Sequence, residues 1–165
     1  MRILAVDPGY ERLGIAVLER EGPGKKEHLV HSECFRTKKE LPHEKRLALV
    51  RQRIAEITEE FKPEAFALEA LYITVNQKTG ILVAEARGVI LSVAGELNIP
   101  ATTINPSSVK VAIAGHGKAS KDDIHLMTRR LISLPSRDQL DDEIDAIAIG
   151  LTWFAEERVR NVINN

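Results

Sequence analysis

The four residues Ala65-Phe66-Ala67-Leu68 form an uninterrupted apolar run that stops at Glu69. So short a run, with no polar residue alternating along it, is the pattern of a central strand buried on both faces. Such a strand needs a layer above and a layer below it. One is at hand: Leu47, Val50, Ile54, Ile57 and Phe61 recur at alternating steps of three and four, one face of an amphipathic helix, and Pro63 ends it. Upstream, residues 1–6, 13–18 and 28–37 read as three strands. The first is closed by Asp7-Pro8-Gly9, and the second is followed by the turn chemistry of Glu21-Gly22-Pro23-Gly24. Short connections of this kind predict an antiparallel meander.

A long helix is expected from about residue 79 to residue 97, with Leu82, Ala86, Ile90, Val93 and Leu97 on one stripe. Ile81, Val83 and Val89 lie largely outside that stripe, so the helix is apolar over more than one face. Either it is centrally buried or one face meets a second subunit. Residues 100–104 read as a further strand. Helices follow from about Pro106, from Ser120 with the cap signature Ser-Lys-Asp-Asp, and from about Gln139 or Leu140 onward. This order predicts one α/β domain over residues 1–165 with a mixed sheet.

Composition narrows the function classes. No apolar run approaches the roughly 18 residues of a membrane span, and the N-terminus lacks a secretory apolar region. The single cysteine, Cys34, excludes an internal disulfide and reads as core filler rather than a nucleophile. A cytoplasmic protein without a membrane partner is expected. The net charge of −1 hides an asymmetry: residues 72–131 carry an excess of Lys and Arg, residues 132–165 an excess of acids. Phosphate contacts and a carboxylate cluster would segregate in this way.

The carboxylates are the informative residues. Asp7 and Glu69 each end an apolar strand, so if those strands are parallel neighbours both acids emerge at one sheet edge, where open α/β sheets place their sites. Asp141, Asp142, Glu143 and Asp145 follow on a helix; Asp142 and Asp145 share a face, as do Asp141 and Asp145. A helix dipole accounts for acids in the first turn. It accounts poorly for Asp145, which sits among Ile144, Ala146 and Ile147 and is expected to be at least partly buried. Carboxylates gathered at one point repel unless a cation neutralises them, and an all-oxygen set selects hard ions such as Mg²⁺ or Mn²⁺. Two such ions can serve phosphodiester hydrolysis.

Four blocks together resemble the RuvC family of Holliday junction resolvases. They are Asp7-Pro8-Gly9 after a strand, Phe66-Ala67-Leu68-Glu69, the stretch running from Val109-Lys110 through Gly115-His116-Gly117-Lys118-Ala119-Ser120-Lys121, and the run from Asp142 to Ile149. The order and spacing fit from residue 1 to about residue 155. The resemblance implies an RNase H-like fold, a five-stranded mixed sheet flanked by helices. It also implies a homodimer acting on four-way junction DNA by paired symmetric nicks that leave 5′-phosphate and 3′-hydroxyl ends. Asp7, Glu69, Asp142 and Asp145 match the catalytic, metal-binding acids, for two Mg²⁺ ions per site with Mn²⁺ able to substitute. Lys110 and Lys121 match basic residues near the scissile backbone, with Lys118 as a further DNA contact. Tyr72 falls where the family carries an aromatic that stacks on DNA near the branch. The family's branch-migration proteins RuvA and RuvB come into view as partners. Asp141 leaves a register ambiguity with Asp142, and His116 between two glycines reads as a loop residue.

Two other readings compete. The segment from Asp7 to Val17 also resembles small RNase H-like proteins of the YqgF type, which process ribosomal RNA. An actin-like phosphotransferase would need a second, related half around a nucleotide cleft, and this chain has one such loop.

Overall fold

The computed structural model describes the chain apart from residues 72–76 and 164–165, so Tyr72 lies outside the described residues. Five strands form one sheet: β1 (Arg2–Asp7), β2 (Arg12–Glu19), β3 (His28–Arg36), β4 (Ala65–Glu69) and β5 (Ala101–Ile104). Their order across the sheet is β3-β2-β1-β4-β5. The first three strands pair antiparallel, as the short turns between them require, whereas β4 lies parallel to β1 and β5 parallel to β4. The sheet is mixed, with β1 where the two regimes meet.

Because side chains alternate across a strand, β1 feeds two cores. Ile3 and Ala5 join Ala16, Leu18, Ala65, Ala67 and Ile104 on one face. Leu4 and Val6 join Leu13, Ile15, Val17, Phe66 and Leu68 on the other. Residues 3–6 are fully buried, and each large aliphatic side chain so buried contributes about 1.5–3 kcal/mol. The second face is covered by α1 (His43–Phe61) and α2 (Gln77–Glu96), the first by α3 (Pro106–Ala114), α4 (Lys121–Leu131) and α5 (Asp141–Ile163).

Helix boundaries follow local chemistry. At the end of α1, Lys62 turns left-handed (φ 48°) and donates its N–H to the Thr58 carbonyl, and Pro63 cannot continue the helix. The cap expected at Ser120 is present in both directions: its hydroxyl accepts from the Asp123 N–H, and the Asp123 carboxylate accepts from the Ser120 N–H. The stripe assigned to α2 needs correction. Ala86, Ile90 and Val93 are buried, but Leu97 lies beyond the helix end and is 52% exposed. Ile81 is 53% exposed on the outer side.

Two glycines set how closely α5 lies on the sheet. A β-carbon on Gly150 would stand 2.5 Å from Leu18 Cδ1 and 3.2 Å from Ala5 Cβ, so only glycine lets the helix reach the small Ala5. Gly14 plays the same part at the helix N-terminus.

Candidate active site

Parallel pairing of β1 with β4 matches Val6 to Leu68. Asp7 and Glu69, the next residues, therefore leave the sheet side by side at the carboxyl ends of their strands. The strand ends are braced. The Ala70 N–H donates to the Ile104 carbonyl at 2.8 Å. Arg87 donates from Nε to the Glu69 carbonyl at 3.2 Å and from its terminal nitrogen to Thr103 Oγ1 at 2.7 Å. Arg87, which no sequence motif marks, is thus the strut behind Glu69.

The turn after Asp7 is clamped from α1. Arg46 is buried and donates to Thr37 Oγ1 at 2.9 Å and to the Tyr10 carbonyl at 3.1 Å. Its guanidinium lies 3.8 Å from the centre of the Tyr10 ring, and the Tyr10 hydroxyl meets His43 Nδ1 at 2.9 Å. The aromatic ring and carbonyl satisfy the buried cation, so the Asp7 loop is held by a rigid planar group.

The N-terminal turn of α5 delivers the remaining acids. Asp142 meets the Arg12 guanidinium at 3.3 Å, with the Cys34 thiol 3.8 Å from the same oxygen. Asp145 is held on both oxygens from α4: Lys121 Nζ lies 2.9 Å from Oδ2, and His125 Nε2 lies 2.8 Å from Oδ1. Asp141 has a side chain 66% exposed and reaches only the outer edge of Lys121 and His125.

Asp7, Glu69 and Asp145, with Lys110 and Lys121, line one cleft of about 340 Å³. Its electrostatics record the crowding of like charges. Burial pushes the Asp7 carboxyl up to about 8; Glu69, Asp145 and Asp142 push in the same direction, and Lys121 opposes them. Burial, then Asp145, also raises Glu69. For Lys121, burial works against the charge, but the bond to Asp145 and the charges of Asp145, Asp141 and Asp7 outweigh it and raise its pKa. The site is a set of mutually repelling acids with the Lys121 ammonium set against them, an arrangement that favours further positive charge. It offers a cation carboxylate oxygens, the donor set of hard divalent ions.

A family model described as crossover junction endodeoxyribonuclease RuvC matches residues 3–153. The chain belongs to the RuvC family. The crossover junction endodeoxyribonuclease RuvC of Thermotoga petrophila is 40% identical over 162 residues, spanning 98% of this chain and 97% of that one. A solved structure of T. thermophilus RuvC in complex with Holliday junction substrate superposes with a TM-score of 0.89 at 32% identity, covering 96% of each chain. The yeast mitochondrial Holliday junction resolvase Ydc2 shares the fold, with a TM-score of 0.68 at 16% identity over 92% of this chain and 76% of its own. The RNase H-like, five-stranded architecture implied by the sequence resemblance is thus the architecture found, and RuvC rather than the YqgF type is the family.

In this RuvC-family chain the structure gathers Asp7, Glu69, Asp145, Lys110 and Lys121. Asp142 stands beside Asp7, close enough to raise its pKa, without lining the cleft itself. Lys118 is exposed and lies off the cleft wall, as does His116, both in the loop between α3 and α4. Among the described residues no three His, Cys, Asp or Glu side chains form a ready metal cage; Lys121 and Arg12 draw Asp145 and Asp142 onto themselves.

One sequence reading needs correction. Cys34 is half-buried against Asp142 rather than core filler, and burial, followed by the Asp142 charge, pushes its thiol up, which keeps it a poor nucleophile. Asp145, 26% exposed, is partly buried as its apolar neighbours led one to expect, while the most deeply buried acid of its helix is Glu143, 2% exposed. Glu143 is paired by Arg137 through two bonds of 2.7 and 3.0 Å and accepts from the Leu140 N–H. His125 and Arg12 went unnoticed because neither carries a motif. The one available signal for His125 was its position four residues after Lys121 on the same helix face.

Proposed function

We propose that this chain is a structure-selective endonuclease that resolves four-way (Holliday) DNA junctions. It does so by metal-dependent paired hydrolysis, leaving 5′-phosphate and 3′-hydroxyl ends. Membership of the RuvC family supports the activity. The observation that carries the chemistry is the shared cleft of Asp7, Glu69 and Asp145 with Lys110 and Lys121. In this reading Asp7, Glu69, Asp142 and Asp145 hold two Mg²⁺ ions, with Mn²⁺ able to substitute. Bound there, such ions lower the pKa of water and polarise the scissile phosphate.

The chain's own residues do the rest. Lys121 and Lys110, which line the same cleft, are placed to hold the non-bridging oxygens of a phosphate and offset charge gathering on them. Half-buried surroundings make each of these contacts stronger than in open water. Arg87 and Arg46 keep the two strand ends from drifting while the backbone is engaged. Lys118, exposed beside the cleft, adds a phosphate contact further along the strand, and Tyr72 stacks on a base unpaired near the crossover. A homodimer formed through the outer side of α2, where Ile81 is exposed, would present two such sites to one junction. RuvA and RuvB are fitting partners, and the cytoplasm is the compartment such a substrate implies.

The test is incubation with a synthetic four-way junction and a matched linear duplex, with and without Mg²⁺. Paired nicks near the crossover that need the ion are expected. Equal digestion of both DNAs would overturn junction selectivity, and cutting in the presence of excess chelator would overturn metal dependence.

A further inference from the structure

We infer that His125 is the positioning residue for Asp145, fixing that carboxylate from behind so that its other oxygen faces the cleft. The inference rests on the reading of Asp145 as a metal-holding acid and says which neighbour makes it one. The two oxygens of Asp145 have different partners. Lys121 Nζ lies 2.9 Å from Oδ2 and His125 Nε2 lies 2.8 Å from Oδ1.

The partners differ in how firmly they are held. The Lys121 side chain is 58% exposed on a flexible four-carbon stem, whereas that of His125 is 14% exposed. Both sit on one face of α4, four residues apart. The capping box at Ser120 holds the first turn, and Ile124 and Thr128 are buried against the core. The imidazole therefore stays where the helix puts it, while the lysine can swing away. A carboxylate oxygen only accepts, so Nε2 carries the hydrogen and donates it to Oδ1. The other ring nitrogen lies 3.7 Å from Asp141 Oδ1, beyond hydrogen-bond reach, and does not compete. Oδ2, shared with the cleft-lining Lys121, is the oxygen left for a cation that would bind there. His125 keeps the carboxylate from rotating if that ammonium swings away.

A group that hydrogen-bonds a metal-binding side chain from the far side changes metal affinity by about 10–100-fold. Calorimetric titration of the whole chain with Mn²⁺, without DNA, should show His125→Ala binding about 10–100-fold more weakly than wild type. His125→Gln, whose amide N–H reaches toward the same oxygen, should keep most of the affinity. In junction cleavage the Mn²⁺ concentration for half-maximal rate should rise for His125→Ala, while the rate at saturating Mn²⁺ changes far less. His125→Phe retains ring volume without the donor and makes the same comparison if truncation disturbs α4, as thermal melting would report. Wild-type Mn²⁺ affinity in both His125→Ala and His125→Phe would overturn the inference, as would a His125→Gln as weak as alanine. A wild-type chain that takes up no Mn²⁺ would instead sink the metal reading itself, and the inference with it.

Discussion

A β-carbon built on Gly14 would stand 1.9 Å from the carbonyl oxygen of Asp142 and 3.3 Å from the β-carbon of Asp7. This bare backbone position, paired with Asp7 across the β1–β2 ladder, lets the α5 N-terminus settle beside β1. Gly14→Ala should push the helix end outward, because a backbone carbonyl cannot swing aside as a flexible side chain can. A loss of about 3 kcal/mol is expected in urea unfolding, with junction cleavage falling further than stability alone would explain.

Asp7→Asn should abolish metal-dependent cleavage while junction binding, measured by gel shift, persists. The same change should stabilise the metal-free protein. With its folded pKa raised to about 8, Asp7 binds a proton more tightly folded than unfolded. The acid thus costs stability increasingly as pH rises from about 4 to about 8. Melting curves in chelator should show the variant gaining on wild type across that range, by on the order of 5 kcal/mol at its upper end. Added Mn²⁺ should close the gap from the wild-type side only.

The two lysines should separate. Lys121→Ala is expected to lower the cleavage rate about 100-fold or more, as loss of a charge aimed at the reacting phosphate does. Lys118→Ala, off the cleft wall, should leave the maximal rate nearly intact and reduce the salt dependence of junction binding by about one phosphate contact.

Arg137 holds the buried Glu143 and also donates to the Ser32 carbonyl at 2.7 Å, tying the loop before α5 to β3. Burial works against the Glu143 charge, but the Arg137 bonds outweigh it and lower its pKa. Arg137→Ala strands a carboxylate without its partner and should cost about 2–3 kcal/mol, discounted because the arginine is half exposed. Adding Glu143→Gln to that variant should recover part of the loss, a coupling that a double-mutant cycle reads directly.

Glu33 and Arg53 join β3 to α1 by two bonds of 2.7 Å. Burial disfavours the Glu33 charge, yet the Arg53 bonds, with His31, carry its pKa down to about 2. A depressed folded pKa means stability that is fully present above the unfolded value of about 4.5 and lost as pH falls through about 2. Glu33→Gln should cost about 1 kcal/mol at pH 7 after solvent screening, and the difference from wild type should vanish in unfolding titrations near pH 2.

Much of this was readable along the chain. The unbroken run before Glu69 marked a strand covered on both faces, and the stripe from Leu47 to Phe61 marked its covering helix. Asp7 and Glu69 stood out as acids closing apolar strands, and Asp145 as an acid past the first turn of its helix. Each of these signals is local: strand alternation, helical period and turn chemistry are properties of a few consecutive residues, and burial of apolar surface rewards them wherever they fall.

What the chain alone left open is of a different kind. That Asp142 rather than Asp141 turns inward, that Glu143 is the buried acid, and that His125 backs Asp145 all depend on how α4 and α5 are pressed against the sheet. That placement is set by Gly14, Gly150 and two packed cores, through contacts between residues far apart in sequence. A polar side chain shows no period, and its partner is chosen only by what the packing brings within three ångströms of it. Only the assembled tertiary structure could decide those pairings.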